Sequence, residues 1–325
     1  MSIPFPSHTN LTICFAHVAY QMEATFAQRE TGIRHFQVWS RPELAERLPE
    51  ADVLVISGFW QNSLLENAPR LRFIQSIGAG VDQFDQAALR ARGIRLANAS
   101  GVNRNAVSEH AIACILALAR QLHTGRDNQR QHIWRGMISD LSQREDELGG
   151  KTLLIVGLGA IGSRLAKLAK AFDMRVIATK RNPATVTGLV DEVHTPDRLL
   201  NLLPQADFVA LTCPLTPETT NLIDNRAFDV MKPNAYLINM ARGRCVDEPA
   251  LLAALQDGTI AGAAIDHFWD EPLPADSPFW DLGNVLITPH TAGETRMYEE
   301  NVIDILLENL ARLGEGREAL QNQVV

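Results

Sequence analysis

The chain has 325 residues, with 30 basic and 38 acidic side chains and a net charge of −8. Apolar residues make up 46 % and charged residues 21 %, a globular balance that excludes a disordered chain. The acidic balance argues against non-specific nucleic-acid binding, which needs a basic footprint. At roughly 100–200 residues per domain the length predicts two domains, each with its own core.

The N-terminal Met1-Ser2-Ile3-Pro4-Phe5-Pro6 has neither the charged region nor the apolar core of a signal peptide. The longest apolar run, 111–119, falls far short of the roughly 20 residues that span a bilayer, so no membrane association is expected. Cys14, Cys114, Cys213 and Cys245 show no zinc or redox spacing. They read as reduced thiols in a cytoplasmic protein, and no metal site is expected.

Short apolar runs alternate with helical stretches, the pattern of parallel α/β structure. The first strands are predicted at 11–16, 52–56, 72–77 and 94–97, with helices between them, for example at 42–48 and 83–92. Their continuous apolar character fits a sheet covered on both faces. The strand at 72–77 runs into Gly78-Ala79-Gly80-Val81. Small residues there let backbone N–H groups approach a bound carboxylate, with a plain tight turn as the equal alternative.

Residues 103–122 are the clearest predicted helix. Asn103 or Asn105 can cap it, and Val107, Ala111, Cys114, Ile115, Leu118 and Leu122 recur at helical spacing. Its apolar surface points to burial between domains or subunits, or in an ordinary core. The polar stretch 123–147 reads as solvated or interfacial. Its Trp134 reads as a rim or core residue, with reach to a neighbouring subunit as the alternative. A second series then predicts six parallel strands at 152–156, 175–179, 208–211, 235–239, 262–266 and 285–288, a doubly wound sheet. An amphipathic helix at 296–313 closes the chain, and periodicity does not say which domain it joins.

Gly157-Leu158-Gly159-Ala160-Ile161-Gly162 is a complete G-x-G-x-x-G between a predicted strand and a predicted helix. In that context Gly157 permits the tight turn, Gly159 the approach of a pyrophosphate and Gly162 close helix–strand packing. An acid about 20 positions on would bond the ribose of NAD. Here Lys180 stands at that place, eighteen positions after Gly162, followed by Arg181. Two cations suit the 2′-phosphate of NADP, so NADP is the preferred cofactor and NAD the alternative.

Further motifs follow in order: Cys213-Pro214-Leu215-Thr216, Asn239-Met240-Ala241-Arg242-Gly243, Val246-Asp247-Glu248, Asp266-His267-Phe268-Trp269-Asp270-Glu271-Pro272 and Thr288-Pro289-His290-Thr291-Ala292-Gly293. With Gly78–Val81 upstream, this set resembles the D-isomer-specific 2-hydroxyacid dehydrogenase family, especially its glyoxylate and hydroxypyruvate reductases. The resemblance runs from about 71 to 293. It implies two doubly wound domains with a cleft between them. Residues 1–102 plus 291–325 would form a flavodoxin-like substrate domain, and 103–290 the Rossmann cofactor domain. It also implies a homodimer built on the cofactor domain.

The resemblance makes Arg242, Glu271 and His290 the catalytic trio, and the chemistry of these residue types agrees. A guanidinium fork suits the substrate carboxylate. A histidine moves the proton near neutrality. A carboxylate on its other nitrogen fixes the tautomer and favours the protonated form. By the same resemblance Ala79 and Gly80 contact substrate, together with Arg242 and His290. Asp266 would bond the nicotinamide carboxamide. Pro214 and Leu215 would line the adenine pocket, with Cys213 also on the cofactor side. Met240 and Ala241 would lie along the nicotinamide, and Gly293 close to it. Phe59 and Trp60 are expected to influence substrate choice. The segment His267-Phe268-Trp269 is bulkier than expected beside Asp266 and reads as a packing feature.

The expected function is NADP-linked hydride transfer on a small 2-oxo acid, glyoxylate or hydroxypyruvate. The alternatives are an NAD-linked D-2-hydroxyacid dehydrogenase with another substrate and a dinucleotide-sensing protein like the family's corepressors.

Overall fold

The computed structural model describes residues 5–6, 10–186 and 188–325. The chain divides into two compact units, 1–103 with 295–325, and 104–294. No helix among the described residues is long and apolar enough to cross a membrane.

The first unit holds strands β1 (Thr12–Ala16), β2 (Arg34–Val38), β3 (Val53–Ile56), β4 (Phe73–Ser76) and β5 (Arg95–Ala97), with helices α1 (Met22–Ala27), α2 (Arg41–Arg47) and α3 (Gln86–Ala91). All strand pairs are parallel, in the order β2-β1-β3-β4-β5, the flavodoxin-like arrangement. Every residue of β1, β3 and β4 is buried, as their continuous apolar runs predict. The edge strand β2 escaped the sequence reading. In Arg34-His35-Phe36-Gln37-Val38 only Val38 is fully buried, so no apolar run marks it. Trp60 is a core residue of this unit, packed 5.1 Å from Phe84 with its indole N–H bonded to Asn62. Phe59 beside it is half-buried.

The second unit begins with α4 (Arg104–Ala119) and α5 (Leu122–Arg130). The expected single helix 103–122 ends early because Gln121 takes a left-handed φ of 48°. Val107, Ala111, Ile115 and Leu118 of α4 share a core with Leu165, Ala166 and Ala169. In contrast α5 buries nothing. Trp134 is 98 % exposed, so it is not a core residue.

Strands β6 (Thr152–Val156), β7 (Arg175–Thr179), β8 (Glu192–His194), β9 (Phe208–Leu211), β10 (Tyr236–Asn239), β11 (Gly262–Ile265) and β12 (Val285–Ile287) form one parallel sheet, ordered β12-β11-β10-β9-β6-β7-β8. The sequence reading had six of these seven. The missing β8 is a three-residue edge strand, Glu-Val-His, with no fully buried residue. Helices α6 (Ala160–Ala171), α7 (Leu199–Leu202), α8 (Asn225–Val230) and α9 (Glu248–Gln256) connect the strands. The order reverses between β6 and β9, where open α/β sheets bind ligands at the carboxyl ends of their strands.

The last helix, α10 (Tyr298–Gly314), joins the first unit. Its Val302, Ile303, Leu306, Leu310 and Leu313 share a core with Ile13, Phe15 and Phe26. Each such buried aliphatic contributes about 1.5–3 kcal/mol of transfer free energy. The Tyr298 hydroxyl donates to the Ile77 carbonyl at 2.7 Å, fixing the helix start beside the turn after β4.

Candidate active site

The glycine turn follows β6 directly. Gly157 has a φ of +101°, and a Cβ there would lie 2.8 Å from the Cys213 backbone. A Cβ on Gly162 would lie 2.6 Å from the Gly157 carbonyl and 2.9 Å from the Thr212 hydroxyl. A Cβ on Gly159 would meet nothing within 4 Å. Two glycines are thus demanded by the fold, and the third leaves an open face. Thr179 pins the turn, accepting from Leu158 N–H at 2.9 Å through its carbonyl and from Gly157 N–H at 3.3 Å through its hydroxyl. Gly159 is the N-cap of α6, so Ala160, Ile161 and Gly162 supply the free N–H groups of its first turn. These residues fit the pyrophosphate of a dinucleotide.

Around the turn, the expected cofactor residues separate into two groups. Lys180 is half-buried and its ammonium donates to the Leu158 carbonyl at 3.0 Å, tying it to the turn. Arg181 is exposed, as is Pro214 beyond β9. Cys213, Met240 and Ala241 are instead buried. Cys213 also meets Cys245, although 32 positions separate them in the sequence. Their hydrogen bond and burial push the Cys213 thiol up, which keeps it unreactive.

Arg242, Glu271 and His290 all follow strands of this same sheet at its carboxyl edge. Asn239 clamps the turn after β10, accepting from Ala241 N–H and donating to the Arg242 carbonyl, both at 3.1 Å. The Arg242 guanidinium is exposed, donates to the Ala241 carbonyl at 2.7 Å and forms no ion pair among the described residues. A Cβ on Gly243 would lie 2.0 Å from the Phe268 carbonyl. Glycine therefore lets the arginine turn press against the segment after β11.

His290 adopts a left-handed φ of 55°. For a residue with a Cβ this conformation costs about 1–3 kcal/mol and persists where the surroundings impose it. Asp266 imposes it. Its carboxylate, 1 % exposed, accepts from the Thr288 hydroxyl, from Thr291 N–H at 3.0 Å and from Ala292 N–H at 3.1 Å. Asp266 thus shapes the histidine loop. Gly293, at the end of this loop, is half-buried.

His290 Nδ1 lies 2.7 Å from Glu271 Oε2. Glu271 Oε1 accepts from Phe268 N–H at 3.2 Å. Burial pushes the Glu271 carboxyl up, but the His290 bond, the nearby imidazoles and the Phe268 N–H outweigh it, and the group is held below its ordinary range. The His290 side chain is half exposed, so an Nδ1–H bond to Glu271 leaves Nε2 free for another partner.

The bulky segment after Asp266 has two functions. Phe268 enters the core against Phe279, and the Trp269 indole N–H donates to the Val246 carbonyl at 2.8 Å. His267 behaves differently. It is 6 % exposed, with its ring centroid 4.0 Å from that of His290 in an edge-on arrangement. Its Nδ1 lies 3.4 Å from Glu271 Oε1, yet is buried with no hydrogen-bond partner among the described residues. Burial, then the charges of His290 and Arg242, lower its pKa from 6.5 to about 4. Reading this segment as packing alone missed His267; its four-residue spacing to Glu271 was the available signal.

In the first unit, the turn after β4 carries Ala79 and Gly80, whose N–H groups have no partner among the described residues. The Ala79 carbonyl accepts from the Asn98 amide at 2.8 Å.

The profile of the D-isomer specific 2-hydroxyacid dehydrogenase NAD binding domain matches residues 112–292. The chain belongs to the D-isomer specific 2-hydroxyacid dehydrogenase family. It is 36 % identical to a glyoxylate reductase of Pyrococcus furiosus, over 85 % of this chain and 83 % of that one. It is 38 % identical to a D-3-phosphoglycerate dehydrogenase of Mycobacterium leprae, spanning 78 % of this chain but only 48 % of that longer protein. A crystal structure of a family protein from Aeromonas salmonicida matches with a TM-score of 0.84 and 30 % identity, over 97 % of this chain and 99 % of that one. Family membership makes the protein an oxidoreductase of 2-hydroxy acids that uses a nicotinamide dinucleotide.

Proposed function

We propose that the protein reduces a small 2-oxo acid, glyoxylate or hydroxypyruvate, with NADPH. The observation that carries the chemistry is the His290–Glu271 pair at 2.7 Å, at the same sheet edge as Arg242 and the glycine turn. The bound dinucleotide would supply the hydride. Arg242, with no acidic partner among the described residues, pairs with the substrate carboxylate and polarises the adjacent carbonyl. His290 gives its Nε2 proton to the oxygen as it becomes an alkoxide, while Glu271 stabilises the imidazolium through Nδ1. In oxidation the same nitrogen takes the proton back. The unpartnered amides of Ala79 and Gly80 suit a carboxylate, and we assign them to substrate binding.

Glycines 157, 159 and 162 and the first turn of α6 hold the pyrophosphate in this reading. Lys180 and Arg181 favour the 2′-phosphate of NADP over the bare ribose of NAD. One observation favours the NAD alternative: the Lys180 ammonium already serves the Leu158 carbonyl, leaving Arg181 as the freer cation. The preference for a small substrate draws on the Pyrococcus glyoxylate reductase, which matches over most of its length. A homodimer is supported by the exposed Leu122, Ile133, Trp134, Met137 and Leu141. Gel filtration of the protein and of Trp134→Ser tests it. Four free, buried thiols accord with a cytoplasmic setting.

The test follows NADPH and, separately, NADH absorbance with glyoxylate, hydroxypyruvate, pyruvate and phenylpyruvate. Fast NADPH oxidation by one of the first two is expected. Faster turnover with NADH would overturn the cofactor assignment. Tight binding without turnover on any acid would favour the dinucleotide-sensing alternative.

A further inference from the structure

The least explained group in the second unit is the His267 imidazole. A buried polar atom without a hydrogen bond is costly, on the order of 1–3 kcal/mol, and calls for a partner. Nδ1 of His267 is such an atom, and it faces the Glu271 carboxylate at 3.4 Å. Across that carboxylate, at 2.7 Å from its other oxygen, stands His290 Nδ1. One ligating atom from each of His267, Glu271 and His290 falls within 4.8 Å of the other two.

We propose that His267, Glu271 and His290 form a binding site for a divalent transition cation of the Zn2+ class, which inhibits the enzyme by occupying its proton-transfer pair. Two imidazoles and a carboxylate are a ligand set that zinc accepts, with a fourth position left for water. Bonds of about 2.0–2.1 Å to a tetrahedral ion put neighbouring ligand atoms roughly 3.3 Å apart. The 3.4 Å separation of His267 Nδ1 and Glu271 Oε1 already meets that value. The 2.7 Å contact is a proton-sharing distance, so the cation takes the place of the hydrogen between His290 and Glu271.

The surroundings prepare His267 as a ligand. A metal binds neutral imidazole, and His267 holds its unpartnered Nδ1 buried and aimed at the Glu271 carboxylate. Asp266, whose carboxylate lies 3.7 Å from His267 Nε2, adds negative charge on the far side of the ring. Arg242 is the opposing charge, so the site favours a strongly ligated transition ion over a weakly held one. With the cation on Nδ1, neutral His290 carries its hydrogen on Nε2. It then has no vacant nitrogen to accept a proton in oxidation. In reduction it is a poor donor, because Glu271 no longer stabilises the imidazolium. Inhibition in both directions follows.

The inhibitory part rests on the proposed reductase; the binding part does not, and the test separates them. The purified full chain, stripped with a chelator, is titrated with Zn2+ at pH 7 against a chromophoric zinc indicator. One Zn2+ per chain at micromolar affinity or tighter is expected. His267→Val and, separately, His290→Ala should weaken it by at least about a hundredfold, since lost outer partners of metal ligands alone cost 10–100-fold. His290 is half exposed, so its variant reports even where His267→Val fails to fold. Absence of a tight site, or tight binding unchanged in the folded variants, would overturn the proposal. In parallel, Zn2+ should abolish turnover and a chelator restore it. Tight, variant-sensitive binding in a protein that reduces no 2-oxo acid would instead sink the reductase reading and leave the metal site standing. Full turnover with the site saturated would overturn the inhibitory role.

Discussion

The glycine turn at Gly157–Gly162 and the histidine loop at Asp266–Gly293 belong to the same sheet edge but are built on different principles. The turn is a backbone device. Its shape follows from a positive φ at Gly157, from contacts that forbid a Cβ at 157 and 162, and from the helix that starts behind it. The loop is a side-chain device. A buried carboxylate gathers Thr288, Thr291 and Ala292, and a left-handed His290 is held against Glu271. A backbone device binds what needs N–H groups and close approach. A side-chain device can move a proton. We therefore assign cofactor binding to the first and chemistry to the second, and damage to each should have a different signature.

The largest expected effect comes from breaking the turn. Gly162→Val places a branched side chain where a single Cβ already meets a carbonyl at 2.6 Å. Overpacking of a tight core contact costs about 1–3 kcal/mol or more, and this one displaces backbone. Thermal unfolding should shift sharply downward, and NADPH fluorescence enhancement should vanish. A variant with wild-type melting and cofactor affinity would contradict the packing argument.

Breaking the loop should spare binding. Removal of a general acid–base group lowers turnover by about 10²–10⁴-fold. His290→Ala should show a loss of that size with the dinucleotide still bound, because its half-exposed side chain is no part of the turn. Arg242→Ala should raise the apparent KM for the 2-oxo acid as well as lower kcat. An unchanged KM would remove Arg242 from carboxylate recognition.

A third effect is smaller and depends on pH. The pKa of His267 is near 4 in the folded protein against 6.5 ordinarily. As pH falls from 6.5 towards 4 the unfolded chain binds this proton first, so folding stability declines through that window. The full difference amounts to up to about 3 kcal/mol. Urea unfolding at pH 7 and pH 5 should show a steeper acid loss in the wild-type protein than in His267→Val. Equal losses would mean that His267 is protonated in the folded state.

The smallest effect sharpens the cofactor side alone. Lys180→Asp restores an acid at the end of β7 and should move the preference from NADPH towards NADH by about tenfold, the value of one charge-assisted bond of roughly 1.4 kcal/mol. Kinetics with both cofactors read it. An unchanged ratio would transfer the phosphate-reading role to Arg181.

The same contrast explains what the sequence disclosed. The turn is contiguous, its glycines stand at set spacing, and buried strands on either side mark it by continuous apolar runs. The edge strands β2 and β8 were missed because half-exposed edges carry no such run. Arg242, Glu271 and His290 were legible only as members of an ordered set of motifs, since each alone resembles an ordinary turn residue. The commitment of the Asp266 carboxylate to its own loop, and the position of His267 beside His290, arise from three-dimensional contact. Neither leaves a periodic or compositional trace. Trp60 and Trp134 show the limit in both directions: one proved to be core and the other fully exposed.

The division between the two regions is tested most directly by measuring, on His290→Ala and wild-type protein together, NADPH affinity by fluorescence and glyoxylate reduction by absorbance. The account predicts affinities within about twofold and rates separated by about 10²-fold or more. Comparable rates, or a parallel collapse of binding and rate, would contradict it.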